Sequence, residues 1–232
     1  MQLITRPLQK KFRKLQWASD KSAYRSRQQA VNTATSAGVV IWLTGMSGAG
    51  KSTIARALVS RLQTFAVRAT MLDGDELRMG LNSDLGFSNG ERSENLRRIA
   101  HVAALFCNEG FVAITATISP EPEHRENARR IIGDASFVEV FVDTPLEVCE
   151  KRDPKGLYQR ARRGEIPQFT GISSAYRPPV HSDLTLRTQD HTVERCVDLI
   201  VDYLVRERQI AIRRVGERAL KMATRYVAIG GK

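Results

Sequence analysis

The chain has 232 residues, a net charge of +11 and 42% hydrophobic residues, the size and balance of one globular domain with a full core plus short extensions. No apolar run reaches the roughly 18 residues of a membrane-spanning helix, and the stretch MQLITRPLQKKFRKLQ (1–16) lacks the apolar core and cleavage site of a secretory signal, a basic transit segment being the lesser alternative. Three cysteines (Cys107, Cys149 and Cys196) without a CxxC spacing argue against a disulfide framework or zinc site, and for small buried side chains in a reducing cytoplasm.

The charge divides the chain. Residues 1–37 carry eight Lys/Arg against one acid, and residues 206–232 carry eight against two. The stretch 38–205 has 20 basic and 22 acidic side chains and is close to neutral. A catalytic domain at 38–205 between two basic extensions is therefore expected.

VVIWLTG (39–45) predicts a buried parallel strand. KSTIARALVSRLQ (51–63) places Ile54, Leu58 and Leu62 on one helical face. ATML (69–72) reads as a second strand, running into DGDELRMGL. Residues 91–109 have the helical spacing Leu96, Ile99, Ala103, Phe106. FVAITATI (111–118) and FVEVFVDT (137–144) are strands flanking a helix over 124–132. PLEVCEKRD opens a helix with proline in its first turn. Residues 153–179 are polar and too long for a plain connection, which points to a functional loop. LTLRT (184–188) is a fifth strand, and 192–207 an amphipathic helix. Strands alternating with helices predict a parallel sheet covered on both faces, with ligands beyond the strands' carboxyl ends.

One motif lies just there. Gly45, Met46, Ser47, Gly48, Ala49, Gly50, Lys51 and Ser52 fit G-x-x-x-x-G-K-[ST] between a strand and a helix. Glycines let backbone N–H groups wrap an anion, and the following helix N-terminus favours phosphate. Lys51 reaches the β- and γ-phosphates, Ser52 ligates Mg²⁺, and Thr53 completes the nucleotide contacts. The chain is short for a helicase and lacks the N/T-K-x-D motif of a GTPase, which leaves a small-metabolite kinase.

Further motifs carry a specific resemblance. D-G-D-x-x-R (73–78), L-G-F-S (85–88) with R-x-x-N (92–95), I-S-P (118–120), D-P-K-G-L-Y (153–158) and F-T-G-I (169–172) resemble the adenylyl-sulfate kinases across about residues 38–205. The resemblance implies an α/β fold: a three-layer α/β/α P-loop kinase with a five-stranded, mainly parallel sheet and a lid. It also implies transfer of the ATP γ-phosphoryl group to the 3′-hydroxyl of adenosine 5′-phosphosulfate, with Mg²⁺, in a homodimer. Asp73 is then the first choice as proton acceptor, with Asp75 second or an indirect Mg²⁺ partner; capping of a helix beginning near Glu76 is the plainer role for both, Asp75 in addition to function. Arg78, Arg92 and Asn95 match substrate-binding positions, and arginine suits phosphate and sulfate. Phe87 and Phe169 match aromatics that sandwich the adenine, against the plainer role of core rings. Ile118 and Leu157 are substrate-side positions, and Lys155 belongs to a mobile lid that excludes water. Ser119 corresponds to a serine regarded as a phosphoserine candidate or a substrate contact. RARRGE (160–165) is either a solvated basic helix or a source of charge for ATP.

The chain departs from the family pattern at Thr117, Glu121, Pro122, Ser173, Ser174 and Arg177. Loss of an arginine near 122 and repulsion by Glu121 are expected to weaken sulfate binding. Two alternatives follow: a kinase of another small hydroxyl compound, or a nucleotide-binding protein acting through its basic extensions. Those extensions could meet nucleic acid, an anionic surface or a sulfurylase partner; solvated arms or a dimer contact are the favoured reading.

Overall fold

The computed structural model describes residues 38–208 and 210; expectations for the basic extensions fall almost entirely outside them. Five strands form one sheet: β1 (Val39–Thr44), β2 (Ala69–Asp73), β3 (Val112–Ala116), β4 (Phe137–Asp143) and β5 (Leu184–Arg187). Their spatial order is β2-β3-β1-β4-β5, and every adjacent pair is parallel. The helices are α1 (Lys51–Thr64), α2 (Gly74–Arg78), α3 (Asn89–Asn108), α4 (Pro122–Ile132), α5 (Leu146–Arg152), α6 (Leu157–Arg162) and α7 (Val193–Glu207).

The two-residue period of a strand explains the layers. Val39, Ile41 and Leu43 share one face with Val112, Ile114, Val138 and Val140, and pack on Ile54, Leu58 and Leu62 of α1 and Ile200 and Leu204 of α7. Val40 and Trp42 face the other way with Ala113 and Phe137, against Leu96, Ile99 and Ala103 of α3 and Ala128 of α4. Both sheet faces are covered, so the strands read as continuous apolar runs.

The helix starts follow from local chemistry. Ser88 and Glu91 form a reciprocal capping box, which starts α3 two residues before the apolar period shows it. Pro122 sits in the first turn of α4, where a missing N–H costs nothing. Asp73, not Asp75, caps α2: its Oδ1 accepts the Asp75 N–H at 2.8 Å, and the helix begins at Gly74. The turn is tight because its cap is the last residue of β2. The long stretch 153–179 contains α6 and a bridge between Thr170 and Ser174.

Among the described residues, one charged pair has both side chains buried. Arg125 of α4 forms an ion pair with Glu139 of β4 at 2.8 Å, with both side chains under 10% exposed. The same guanidinium donates to the carbonyls of Ser119 (2.8 Å) and Arg177 (3.0 Å), tying three segments together. Burial raises the Glu139 pKa while Arg125 and Arg129 hold it down. Arg125→Ala should therefore cost about 3–5 kcal/mol, as expected for one half of a buried pair left alone. Urea denaturation measures this, and the loss should shrink as pH falls, since protonation removes the stranded charge of Glu139.

Candidate active site

The carboxyl ends of β1, β2 and β3 converge, and the P-loop grows from β1. Gly48 has φ 74°, and a Cβ there would stand 2.9 Å from the Cys149 carbonyl; the backbone passes too close to α5 for a side chain. Around this turn the loop is held from outside. Tyr158 of α6 donates its hydroxyl to the Ser47 carbonyl at 2.9 Å. The hydroxyls of Thr144 and Thr188 both reach the Ala49 carbonyl at 3.2 Å. Arg152 donates to Thr188 Oγ1 and O, each at 3.0 Å, and lies against the Gly48 carbonyl at 3.4 Å. None of these four was singled out from the sequence. Tyr158 stood inside D-P-K-G-L-Y and Thr188 ended the fifth predicted strand, but only the fold brings them to the loop.

Lys51 is 8% exposed and folds back into the loop, donating to the carbonyls of Gly45 (2.8 Å) and Met46 (2.7 Å). Burial pushes its ammonium down to about 8. Ser52 donates to Asp73 Oδ2 at 2.6 Å. Asp73 is thus engaged at both oxygens, by Ser52 and by the Asp75 N–H. Two oxygen donors this close beside a phosphate loop fit the hard, oxygen-loving Mg²⁺. Met46, Ser47 and Gly50 are half-buried, Ala49 is buried, and Thr53 is exposed on α1.

A second set of residues faces the same edge. Arg92 of α3 donates to the Phe87 carbonyl (2.8 Å), to Thr170 Oγ1 (2.9 Å) and to the Gln168 carbonyl, so one guanidinium spans both aromatic loops. Arg78 donates to the carbonyls of Leu85 (3.1 Å) and Gly86 (2.9 Å) and lies 4.4 Å over the Phe87 ring. The two rings expected as a pair have different settings. Phe87 is 62% exposed, whereas Phe169 is buried edge-on against Tyr158 at 5.0 Å. Asn95 is buried and accepts from Asn82 at 2.9 Å. Lys155 crosses from the lid to Asp75 at 2.5 Å. Leu157, beside it, is half-buried at the start of α6.

Several expectations change. Ser119 is 1% exposed; it accepts from Trp42 Nε1 (3.2 Å) and donates to Thr44 Oγ1 (2.9 Å). Thr44 in turn donates to the Ile118 carbonyl at 2.8 Å and meets the Tyr176 hydroxyl at 3.0 Å. The Ser119 hydroxyl therefore joins β1 to the end of β3. Arg160 and Arg163 pair with Glu165, and Arg162 with Glu150, which favours the solvated helix over direct contact with ATP. Glu121 is paired with Arg177 at 3.4 Å, so two departures offset each other's charge. Cys107, Cys149 and Cys196 are buried and free.

The sequence profile of adenylylsulphate kinase matches residues 37–187. The adenylyl-sulfate kinase of Paraburkholderia xenovorans is 58% identical over 168 residues, 72% of this chain and 93% of its own length. The chain belongs to the adenylyl-sulfate kinase family. The Saccharomyces cerevisiae adenylyl-sulfate kinase is 51% identical over 75% of this chain and 87% of its own length. Among solved structures, the Mycobacterium tuberculosis APS kinase in complex with AMPPNP and APS is 48% identical, with a TM-score of 0.71, over 73% of this chain and 98% of its own. As a member of this family the chain is an ATP-dependent kinase that uses ATP and Mg²⁺.

The buried Lys51 makes nucleotide binding a proton event. A lysine whose pKa is lowered to about 8 is half neutral at pH 8, and phosphates against it restore the charge. Binding of ATP at pH 8 should take up about half a proton. Calorimetry in buffers of different ionisation enthalpy measures the uptake, which should vanish in Lys51→Met and fade below about pH 7.

Proposed function

We propose that this chain transfers the γ-phosphoryl group of ATP to the 3′-hydroxyl of adenosine 5′-phosphosulfate, giving 3′-phosphoadenosine 5′-phosphosulfate and ADP. The observation that carries the reading is the convergence of a phosphate loop, a D-G-D turn and an arginine-bridged pair of aromatic loops on one sheet edge. Gly45 to Thr53 hold the triphosphate through backbone N–H groups, and Lys51 leaves its two carbonyls to meet the β- and γ-phosphates.

Ser52 and Asp73 would hold Mg²⁺, which when bound neutralises charge on the β- and γ-phosphates. We take the two aspartates in the reverse of the expected order. Asp73 has both oxygens committed, whereas Asp75 is 70% exposed and held by Lys155. Asp75 therefore takes the acceptor proton, and Asp73 sets Ser52 and the metal. Arg78, Arg92 and Asn95 hold the acceptor's anionic and sugar oxygens, as forked cations and an amide can. Phe87 covers the adenine from its exposed side, and Phe169 moves from Tyr158 to cover the other. Ile118 and Leu157 line the acceptor path. Lys155 and α6 close over the reacting groups and exclude water. Ser119 acts by fixing the end of β3, with no phosphoserine step.

The same reading gives a cytoplasmic homodimer supplied by a sulfurylase. One motive for a changed acceptor, repulsion by Glu121, is weakened because Arg177 pairs with it; the arginine replaced at Pro122 is the motive left.

A coupled ADP-release assay with ATP, Mg²⁺ and adenosine phosphosulfate tests the reaction. The parent should turn over, and Lys51→Ala should lose about 10²–10³-fold in kcat. Asp75→Asn should lose about 10²–10⁴-fold at saturating Mg²⁺. Asp73→Asn should instead raise the Mg²⁺ concentration required. ATP binding without turnover on this acceptor would refute the assignment.

A further inference from the structure

Buried polar groups in a folded protein are nearly always hydrogen-bonded, so an orphan beside a functional pocket calls for a partner. Among the buried orphans of the described residues, Thr117 and His124 lie beside the D-G-D turn and the helix of Arg92. Thr117 is 5% exposed and its Oγ1 has no partner; His124 is 7% exposed and its Nδ1 has none. Neither residue belongs to the P-loop, the D-G-D turn or the arginine pair.

Each lies beside an element of the acceptor side as read above. Thr117 continues β3 by one residue, its N–H donating to the Leu43 carbonyl at 3.2 Å. Strand alternation then sets it on the face of Ala113, toward α3 and α4. Its Cγ2 lies 3.4 Å from where a Cβ on Gly74 would stand, so it packs on the turn between Asp73 and Asp75. His124 lies in the first turn of α4, which packs against α3, the helix that carries Arg92 and Asn95. Arg92, Arg125, Glu121 and Glu123 all act on the imidazole electrostatically. Burial, the largest effect, lowers its pKa, so it is neutral at pH 7 and adds hydrogen bonding without charge. The carboxylate turn and the arginine clamp thus each have an unpaired neutral group beside them.

We propose that Thr117 and His124 form an uncharged wall of the acceptor pocket, the Thr117 hydroxyl and the His124 Nδ1 hydrogen-bonding to oxygens of the bound acceptor. The inference rests on the reading of the acceptor given above and adds two specificity residues to it. A site built to satisfy such groups rejects ligands that leave them unpaired. Thr117→Val keeps the side-chain shape and removes the hydroxyl. His124→Asn carries an amide near the Nδ1 position, His124→Gln carries one near Nε2, and His124→Leu carries neither.

Steady-state kinetics on the full chain, with adenosine phosphosulfate and ATP varied in turn, provide the test. Thr117→Val and His124→Leu should each raise the acceptor KM about tenfold, the worth of one lost hydrogen bond to a ligand. The KM for ATP should stay within about twofold. His124→Asn should recover most of the loss and His124→Gln should not. An unchanged acceptor KM in both Thr117→Val and His124→Leu overturns the proposal. So does an equal rise in both KM values, which marks a general structural role. If His124→Leu fails to fold, Thr117→Val and the Asn–Gln contrast still decide. A parent that binds ATP but leaves adenosine phosphosulfate untouched removes the underlying reading and this inference with it, whereas turnover with insensitive variants removes the inference alone.

Discussion

The ammonium of Lys51 is buried within a loop built to hold anions, and among the described residues its direct partners are the carbonyls of Gly45 and Met46. A cation removed from water needs compensation, and two neutral carbonyls supply part of it. Asp73 and Asp75 act on it from farther off. Much of the surrounding structure keeps this arrangement in shape. Tyr158, Thr144 and Thr188 hold loop carbonyls from three different segments, so the loop cannot collapse onto its lysine. The loop is therefore preorganised for phosphate, and electrostatic stabilisation of transferring charge needs little rearrangement.

The acceptor side is organised by a different device. Arg92 joins the Phe87 loop to the Gln168–Thr170 segment, and Lys155 joins the lid to Asp75. Both cations thus bond to protein groups at the positions proposed to meet the acceptor. Exchange of such bonds for substrate oxygens allows closure at small net cost, since like replaces like. The hydroxyl chain from Trp42 through Ser119 and Thr44 to Tyr176 anchors the same region from below.

The departures from the family pattern acquire a structural sense. Glu121 and Arg177 form a pair between the start of α4 and the segment after F-T-G-I, so neither presents an isolated charge. Arg125, the remaining arginine of this stretch, is committed to Glu139 and two carbonyls inside the fold. Thr117, by contrast, leaves a buried hydroxyl unpaired. The Glu121 and Arg177 departures conserve charge balance, whereas Thr117 adds a buried polar group.

The sequence by itself determined the strand and helix order, because apolar period and glycine punctuation are local signals. It also determined the phosphate loop and the set of segments at the site, because a G-x-x-x-x-G-K-S motif between strand and helix has one mechanical use. It did not determine which aspartate caps α2, because the cap depends on where β2 ends. Nor did it show that Glu121 neutralises Arg177 across 56 residues, that Ser119 is buried, or that Thr188 and Tyr158 brace the loop. Those are long-range pairings, set by the strand order β2-β3-β1-β4-β5 and the packing of helices on it. Periodicity records which face of an element is apolar; only the closed sheet decides which polar atoms from distant segments meet at its edge.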